Sequence, residues 1–380
     1  MAYQNVGTPR FYIDEFSYAK AMGVHIPDDQ YPSFLQESGG WHYDYDNPTQ
    51  VDFLSPIGIN PSNTKTNSTT QQHMTFHFGD DTSTILPAGT GINFIAILGH
   101  NYKDKSSNPF FHRARVTLEG DDDDLIFEPR FTDICNWGDS LSQFQPEYDG
   151  FSIGGIYNMD NPATTQPFSS FYVSTGMYGG GTTMTKSGSC IVGKFYNMPH
   201  SPDLNLKLSY EYDGVKTLES KNGGTLSNAM FTGSPNWGDG GAWQLYNPEN
   251  PDFGVGKNYR TGRRTWDLSF SYLADENVFP INAGTSVFTG GGSPWEHNSN
   301  IYSNDNSDFF SRVWNKTLGN ALPFIFQPDA PVFNESTEEY EGGNSNPDQF
   351  AICKFVGDTL QYEQVAHNTY NVKLKIEEVW

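Results

Sequence analysis

The chain has 380 residues, with 45 acidic against 22 basic side chains and a formal charge of −23. So acidic a balance excludes a grip on nucleic acid and docking on anionic lipid, both of which need a basic face. Aromatic residues at 15% exclude global disorder, and 38 glycines with 23 prolines break helices and multiply turns.

Hydrophobic residues are 36% and charged residues 18%, and the composition reads as all-β with long Asn/Ser/Thr/Gly-rich connections. Cys135, Cys190 and Cys353 are far apart and form no Cys-x-x-Cys pair, so neither a disulfide framework nor a Cys-rich zinc site is expected. The opening MAYQNVGTPRFYIDEF lacks the apolar core of a secretion signal, and no apolar run approaches the roughly 18 residues of a membrane span.

Residues 1–30, containing FYIDEFSYAKAMG, read as an extended N-terminal arm. HMTFHFG then alternates, with Met74, Phe76 and Phe78 on one face and His73, Thr75 and His77 on the other. INFIAILG (92–99) is a continuous apolar run and predicts a central buried strand. HRARVTLEG alternates again, and FSIGGIY, FSSFYVST and SCIVGKFYNM are further short strands separated by Gly, Pro and Asn. Such spacing predicts a sandwich or barrel.

The texture changes near His200. In DLNLKLSYEY, Leu204, Leu206, Leu208, Tyr210 and Tyr212 oppose Asn205, Lys207, Ser209 and Glu211. RTWDLSFSYL sets Trp266, Leu268, Phe270 and Tyr272 on one face, and YNVKLKIEEV sets Tyr370, Val372, Leu374 and Ile376 against Asn371, Lys373, Lys375 and Glu377. This alternation predicts three strands with one buried and one wet face. One short helix is expected at about 307–318 (SDFFSRVWNKTLGN), capped by Ser307 or Asp308, with Phe310, Val313, Trp314 and Thr317 in a stripe and Gly319 at the C-cap. The last 30 or so residues read as a three-strand meander with turns at Gly357-Asp358 and His367-Asn368. Residues 222–262 and 280–308 read as long loops that carry contacts or order on assembly.

No constellation meets the standard of an active site, and no catalytic residue, metal ligand or cofactor is expected. His73 and His77 are four residues apart in a strand, about 13 Å, too far to share one ion. Asp121 to Asp124 lack the spacing and turn glycine of a calcium loop and read as a solvated hairpin tip. His100 reads as a loop pin and His200, between Pro199 and Pro202, as a rigid elbow. Arg260, Arg263 and Arg264 form the basic cluster of this acidic chain; they pair either with an acidic neighbouring subunit or with the chain's own acids. Trp237, Trp243 and Trp295 in the long loops are candidate interface residues, and Trp41, Tyr43, Tyr45 and Trp137 a candidate sugar-stacking platform. A hydrolase would need a carboxylate pair drawn from residues such as Asp139, Asp239 or Glu147.

The stretch GSCIVGKFYNMPHSPDLNLKLSYEYDGVKTLESKNGGTLSN, together with TGRRTWDLSFSYL, ALPFIFQPD and NTYNVKLKIEEVW, resembles structural proteins of tailed bacteriophages. The closing segment is similar to C-terminal β-domains of tail proteins near the distal end of the tube, and NFIAILGHN resembles galactose-binding-like (discoidin-like) jelly rolls. The resemblance implies a jelly-roll β-sandwich over 31–200, a tail-type β-sandwich or split barrel over 201–380, and a non-enzymatic virion component. Most directly it implies a ring-forming distal tail or baseplate protein, trimeric or hexameric in copy number, that joins the tail tube to tip or fibre proteins and is assembled in the host cytoplasm. Its partners would be copies of itself and other tail proteins, with no membrane and no specific nucleic acid, although DNA would pass an acidic, repelling wall. A tube, neck or fibre-adaptor protein and a carbohydrate-binding adhesion module are the alternatives.

Overall fold

A computed structural model describes residues 6–22, 65–67, 72–77, 94–98, 110–118, 129–130, 135–137, 144–146, 151–156, 168–177, 185–187, 189–211, 215–229, 263–280, 308–334, 339–344 and 349–379. The described strands are β1 (Arg10–Asp14), β2 (Lys65–Asn67), β3 (Gln72–His77), β4 (Phe94–Leu98), β5 (Phe110–Leu118), β6 (Pro129–Arg130), β7 (Cys135–Trp137), β8 (Phe144–Pro146), β9 (Phe151–Ile156), β10 (Phe168–Met177) and β11 (Thr185–Ser187). They continue with β12 (Ser189–Asn197), β13 (Lys207–Glu211), β14 (Val215–Glu219), β15 (Thr225–Ala229), β16 (Arg263–Ala274), β17 (Phe324–Gln327), β18 (Val332–Asn334), β19 (Glu339–Glu341), β20 (Ala351–Phe355), β21 (Tyr362–Ala366) and β22 (Thr369–Glu378). Among the described residues the helices are short: α1 (Glu15–Ala21), α2 (Asp275–Val278) and one widened turn at Phe310–Trp314. The described residues are mostly antiparallel β-sheet with few helices, consistent with the all-β class that the composition predicts.

One sheet of 11 strands dominates, in the order β13-β16-β22-β20-β17-β1-β12-β4-β9-β6, with β21 on the side of β22. A second sheet runs β3-β10-β5-β8-β7, and β2 with β11, β14 with β15 and β18 with β19 form ribbons. INFIAILG does supply an inner strand, β4, between β12 and β9. Strands from before and after residue 200 lie in this one sheet, joined through β1.

Residues 10–14 are not part of an arm. β1 lies between β12 and β17, with Phe11 opposite both Tyr196 and Phe326, and all five of its residues are buried. Phe11 and Ile13 join the main core, while Tyr12 points to the other face against Phe94 and Phe350. Burial on both faces removes the one-sided alternation that marks a half-exposed strand. The fit against β12 needs Gly193: a Cβ there would run into the carbonyl oxygen of Ile13.

β16 carries Trp266, Leu268 and Phe270 into the core, as the alternation predicts. The pattern then breaks. Register against β22 slips between Phe270 and Leu273, so Leu273 takes the buried place and Tyr272 stands 78% exposed with φ of 62°. The expected Tyr272 core position is therefore corrected by a β-bulge, which inserts an extra residue and inverts the alternation beyond it. β22 follows expectation, with Val372, Leu374 and Ile376 buried and Lys373 and Lys375 exposed.

The closing segment is not a three-strand meander. β20 and β21 do not pair with each other; both lie antiparallel to β22 along one edge, Phe355 opposite Ile376 and Tyr362 opposite Val372. They are two halves of one long strand interrupted by residues 356–361, and the His367-Asn368 turn closes the hairpin with Asn368 at φ 54°. The helix expected at 307–318 is a single widened turn whose ends match: the Ser311 N–H donates to Asp308 Oδ1 at 2.8 Å, and Gly319 adopts φ 68°. Phe309, not Phe310, is the buried aromatic of that turn.

Among the described residues, buried Arg264 and Lys316 each pair with a carboxylate inside the chain. Arg264, on β16, donates from Nε to Glu378 Oε2 at 3.1 Å and from Nη2 to Glu378 Oε1 at 3.0 Å, and its Nη2 also reaches the Phe350 carbonyl at 2.7 Å. This joins β16, β22 and the entry to β20. Of the two partners left open for the basic cluster, Arg264 takes the chain's own acid, so its place among the interface residues is corrected. Its guanidinium has only 3% exposure. Lys316 and Glu15 form a second buried pair at 2.7 Å.

Removing one partner of such a pair leaves an uncompensated buried charge. Glu378→Ala is expected to cost about 3–5 kcal/mol of unfolding free energy, read as a fall in urea midpoint. Gly193→Ala, which drives a methyl into the β1 backbone, is expected to cost about 1–3 kcal/mol or more in the same assay.

Candidate assembly surface

The corner between β12 and β13 is fixed before β13 begins. The Met198 N–H donates to the Pro9 carbonyl at 2.9 Å. His200 bonds the Ser201 carbonyl through Nδ1 at 2.7 Å, and its ring lies 6.1 Å from that of Phe270. Pro202 is buried. The Asp203 N–H donates to the Ser269 carbonyl at 2.7 Å, and Asp203 Oδ2 accepts from Ser271 Oγ at 2.7 Å. His200 is thus a hydrogen-bonded, half-exposed elbow residue, in keeping with its two flanking prolines.

This corner delivers a strand with one neighbour. β13 pairs with β16 from Lys207 opposite Asp267 to Glu211 opposite Arg263, and it ends the order of the large sheet. Its other edge carries no strand among the described residues. The expected apolar face is accordingly half covered: Leu206 and Leu208 are partly buried against the core, Leu204 is fully exposed in the turn and Tyr210 is 45% exposed. Alternation reports which residues share a face; it cannot report that the strand is the last in its sheet.

Three residues beyond β13, β14 and β15 form a two-stranded ribbon with Leu218 directly opposite Leu226. These leucines are 68% and 70% exposed. On the opposite face Thr217 Oγ1 and Ser227 Oγ lie 3.5 Å apart. The tip is a turn in which Ser220 N–H donates to the Gly224 carbonyl at 2.7 Å, with Gly223 at φ 80°. β15 lies inside the span expected as a loop at 222–262, so the start of that loop is regular structure. An isolated two-stranded ribbon is marginal in water, and covering one leucine is worth about 1.5–3 kcal/mol.

The other named residues divide by position. Arg263 is described only as a β16 backbone position and Trp137 only as a β7 backbone position. Arg260, Trp237, Trp243, Trp295, Trp41, Tyr43, Tyr45, His100, Asp121 to Asp124, Asp139, Asp239 and Glu147 lie outside the described residues. His73 and His77 stand in β3 opposite Ser174 and Ser170. Among the described residues no group of three or more His, Cys, Asp or Glu is placed to hold a metal ion, and no helix is long and apolar enough to cross a membrane.

Two titratable groupings are internal. Burial, with the nearby Glu378 carboxylate, pushes the Cys353 thiol well above its usual range. Burial, then the charge of Asp308, pushes up the phenols of Tyr196 and Tyr362; Tyr196 donates to the Asn277 carbonyl at 3.1 Å. Asp308 itself is raised by burial against the opposing Ser311 hydrogen bonds. Comparison with protein-family models, with curated proteins and with solved structures finds no match to this chain.

Among the described residues, the outer edge of β13 is unpaired and the ribbon leucines are exposed. Because both leucines are exposed, the double variant Leu218→Ser/Leu226→Ser should leave folding stability within about 0.5 kcal/mol of the parent chain. It should raise the concentration needed for self-association in sedimentation velocity.

Proposed function

We propose that this chain is a structural component of a tailed-bacteriophage virion: a ring-forming distal tail or baseplate protein that joins the tail tube to tip or fibre proteins. In this reading residues 31–200 are a galactose-binding-like jelly roll and residues 201–380 the tail-type β-domain, and the chain is no enzyme. The observations that carry an assembly role are the exposed Leu218–Leu226 pair and, separately, the strand β13, which ends its sheet with no further strand on its outer edge among the described residues. The resemblance of the β12–β13, β16 and β22 stretches to tail proteins supplies the particle.

The physical logic is that of a repeated contact. A ring closes when one surface patch meets a different patch on the next copy through a fixed rotation. The exposed ribbon is the patch assigned here to a neighbouring copy, because two apolar side chains on a short hairpin gain most by leaving water. The net charge of −23 suits a lumen past which DNA slides without sticking.

Imaging of purified particles labelled on this chain tests the reading. The label should decorate the distal end of the tail in a ring. Label at the neck or along the tube would move the chain to those positions, overturning the distal assignment. Absence of label from particles, or turnover of a substrate by the isolated chain that is lost on changing one acid or imidazole, would overturn the structural role itself.

A further inference from the structure

We propose that β13 pairs antiparallel with β13 of a second copy about a two-fold axis through Ser209, joining two chains into one continuous sheet. This goes beyond the ring reading, since the contact is isologous and closes on itself, whereas a ring needs a head-to-tail contact.

The sequence of the edge is complementary to itself. With Ser209 opposite Ser209 of the partner subunit, all five residues of β13 (KLSYE) overlap. Lys207 then faces Glu211 of the partner subunit, Leu208 faces Tyr210 of the partner subunit, and both pairs occur twice. Opposite charges and aromatic–aliphatic pairs directly across a ladder are the favourable cross-strand combinations. A slip of two residues cuts the overlap to three positions and sets Ser209 against a charge. A slip of one residue sets the polar face of one strand on the apolar face of the other.

The register within each chain extends the argument. Asp267 lies opposite Lys207 on one side and opposite Lys375 on the other, and Glu211 lies opposite Arg263. In the joined sheet one row therefore reads Lys375, Asp267, Lys207, Glu211 of the partner subunit, Arg263 of the partner subunit, alternating in sign across the two-fold. The strand is also locally neutral, with one Lys and one Glu, so the charge of −23 on each chain is not concentrated where the copies meet.

The other edges of the large sheet offer less: β21 (YEQVA), paired only with β22, carries a single charge with no opposite sign to answer it in a second copy. β6 has two residues and begins with Pro129, which has no N–H to give a neighbouring strand. β13 offers five residues and no proline, and exposed edge groups of that kind are templates for pairing.

Charge exchange in the full-length chain tests the register. By sedimentation velocity at low salt the parent chain should contain the two-fold dimer. Lys207→Glu alone and Glu211→Lys alone each set like charges face to face at both ends of the contact and should weaken it about tenfold or more. The double variant Lys207→Glu/Glu211→Lys should restore it. Within one chain the same changes oppose Asp267 and Arg263, so an effect confined to the monomer would be worse in the double variant, not relieved.

Ser209→Cys gives a second reading without altering charge. A short thiol–thiol cross-linker should join its chains above the background of the parent, while Thr359→Cys, exposed on the 356–361 excursion, should not be joined. Single reversals that leave the association unchanged, a double variant that fails to recover, or Ser209→Cys chains that do not cross-link would each overturn the pairing. A purely monomeric parent chain would also overturn it, and would leave the labelled-particle test of the virion role standing on its own result.

Discussion

Phe11 is the contact on which the sheet depends. Its ring centroid lies 5.6 Å from Phe309, 5.4 Å from Phe324, 5.3 Å from Phe326 and 6.0 Å from Phe355. It thereby ties a strand at residue 11 to elements more than 290 residues away along the chain. On the opposite face Tyr12 donates to Gln327 Oε1 at 2.8 Å, and Gln327 Nε2 donates to the Asn344 carbonyl at 3.1 Å. Without β1 the strands β12 and β17 have no neighbour between them, and the large sheet becomes two. Contacts of such sequence separation form late, after much loop-closure entropy has been spent. The seam also sets the position of β13: Phe326 packs on Trp266 at 5.2 Å, Trp266 lies opposite Leu208, and β16 carries the edge strand.

Three buried cations in and around the seam find their partners within the chain. Arg10 donates to Asn197 Oδ1 at 2.6 Å and to the Pro331 carbonyl at 3.0 Å, and its guanidinium lies 4.1 Å from the Phe195 ring. Lys316 joins Glu15 and also lies 4.3 Å from the Tyr18 ring. Arg264 holds Glu378 with two parallel bonds, the fork geometry that guanidinium and carboxylate share. These cations are spent inside the fold. The acid excess therefore falls on the rest of the molecule, which gives weight to any strand where the two signs are balanced.

The legible parts of the fold were those decided by local periodicity or local chemistry. Trp266, Leu268 and Phe270, and Val372, Leu374 and Ile376, alternate because one face of each strand is buried. Asp308 and Gly319 mark a turn by capping chemistry, which acts over three or four residues. Tyr272 was not legible, because a bulge inverts a face without leaving a mark on composition. β1 was not legible because the charged residues at its ends are buried, Arg10 by the distant Pro331 carbonyl and Asp14 while accepting from the Ser17 hydroxyl three residues on. The turns after β20 and β21 were, yet turn residues say where a chain reverses and not which edges meet. Glu378 as the partner of Arg264 lies 114 residues away. Leu226 of the ribbon was hidden within the stretch from residue 222 whose glycines and asparagines read as loop.

An open edge is a hazard that most sheets suppress with a charge, a proline or a short strand. The two ends of this sheet differ in that respect. β6 is short and starts with proline, the usual protection. β13 has a lysine, the usual edge charge, but it also has a glutamate four positions on, at the register where a second copy would supply the opposite sign. A charge repels every neighbour of like sign and so protects against indiscriminate pairing; a charge matched by its own counterpart in an antiparallel copy admits one neighbour in one register. The rigid corner of Pro202 and Asp203 holds that strand at a set distance from the core, so little conformational entropy remains to be lost when it is covered. In the proposed pairing, selectivity thus comes from the order of five side chains, while the affinity comes from backbone hydrogen bonds that any strand would share.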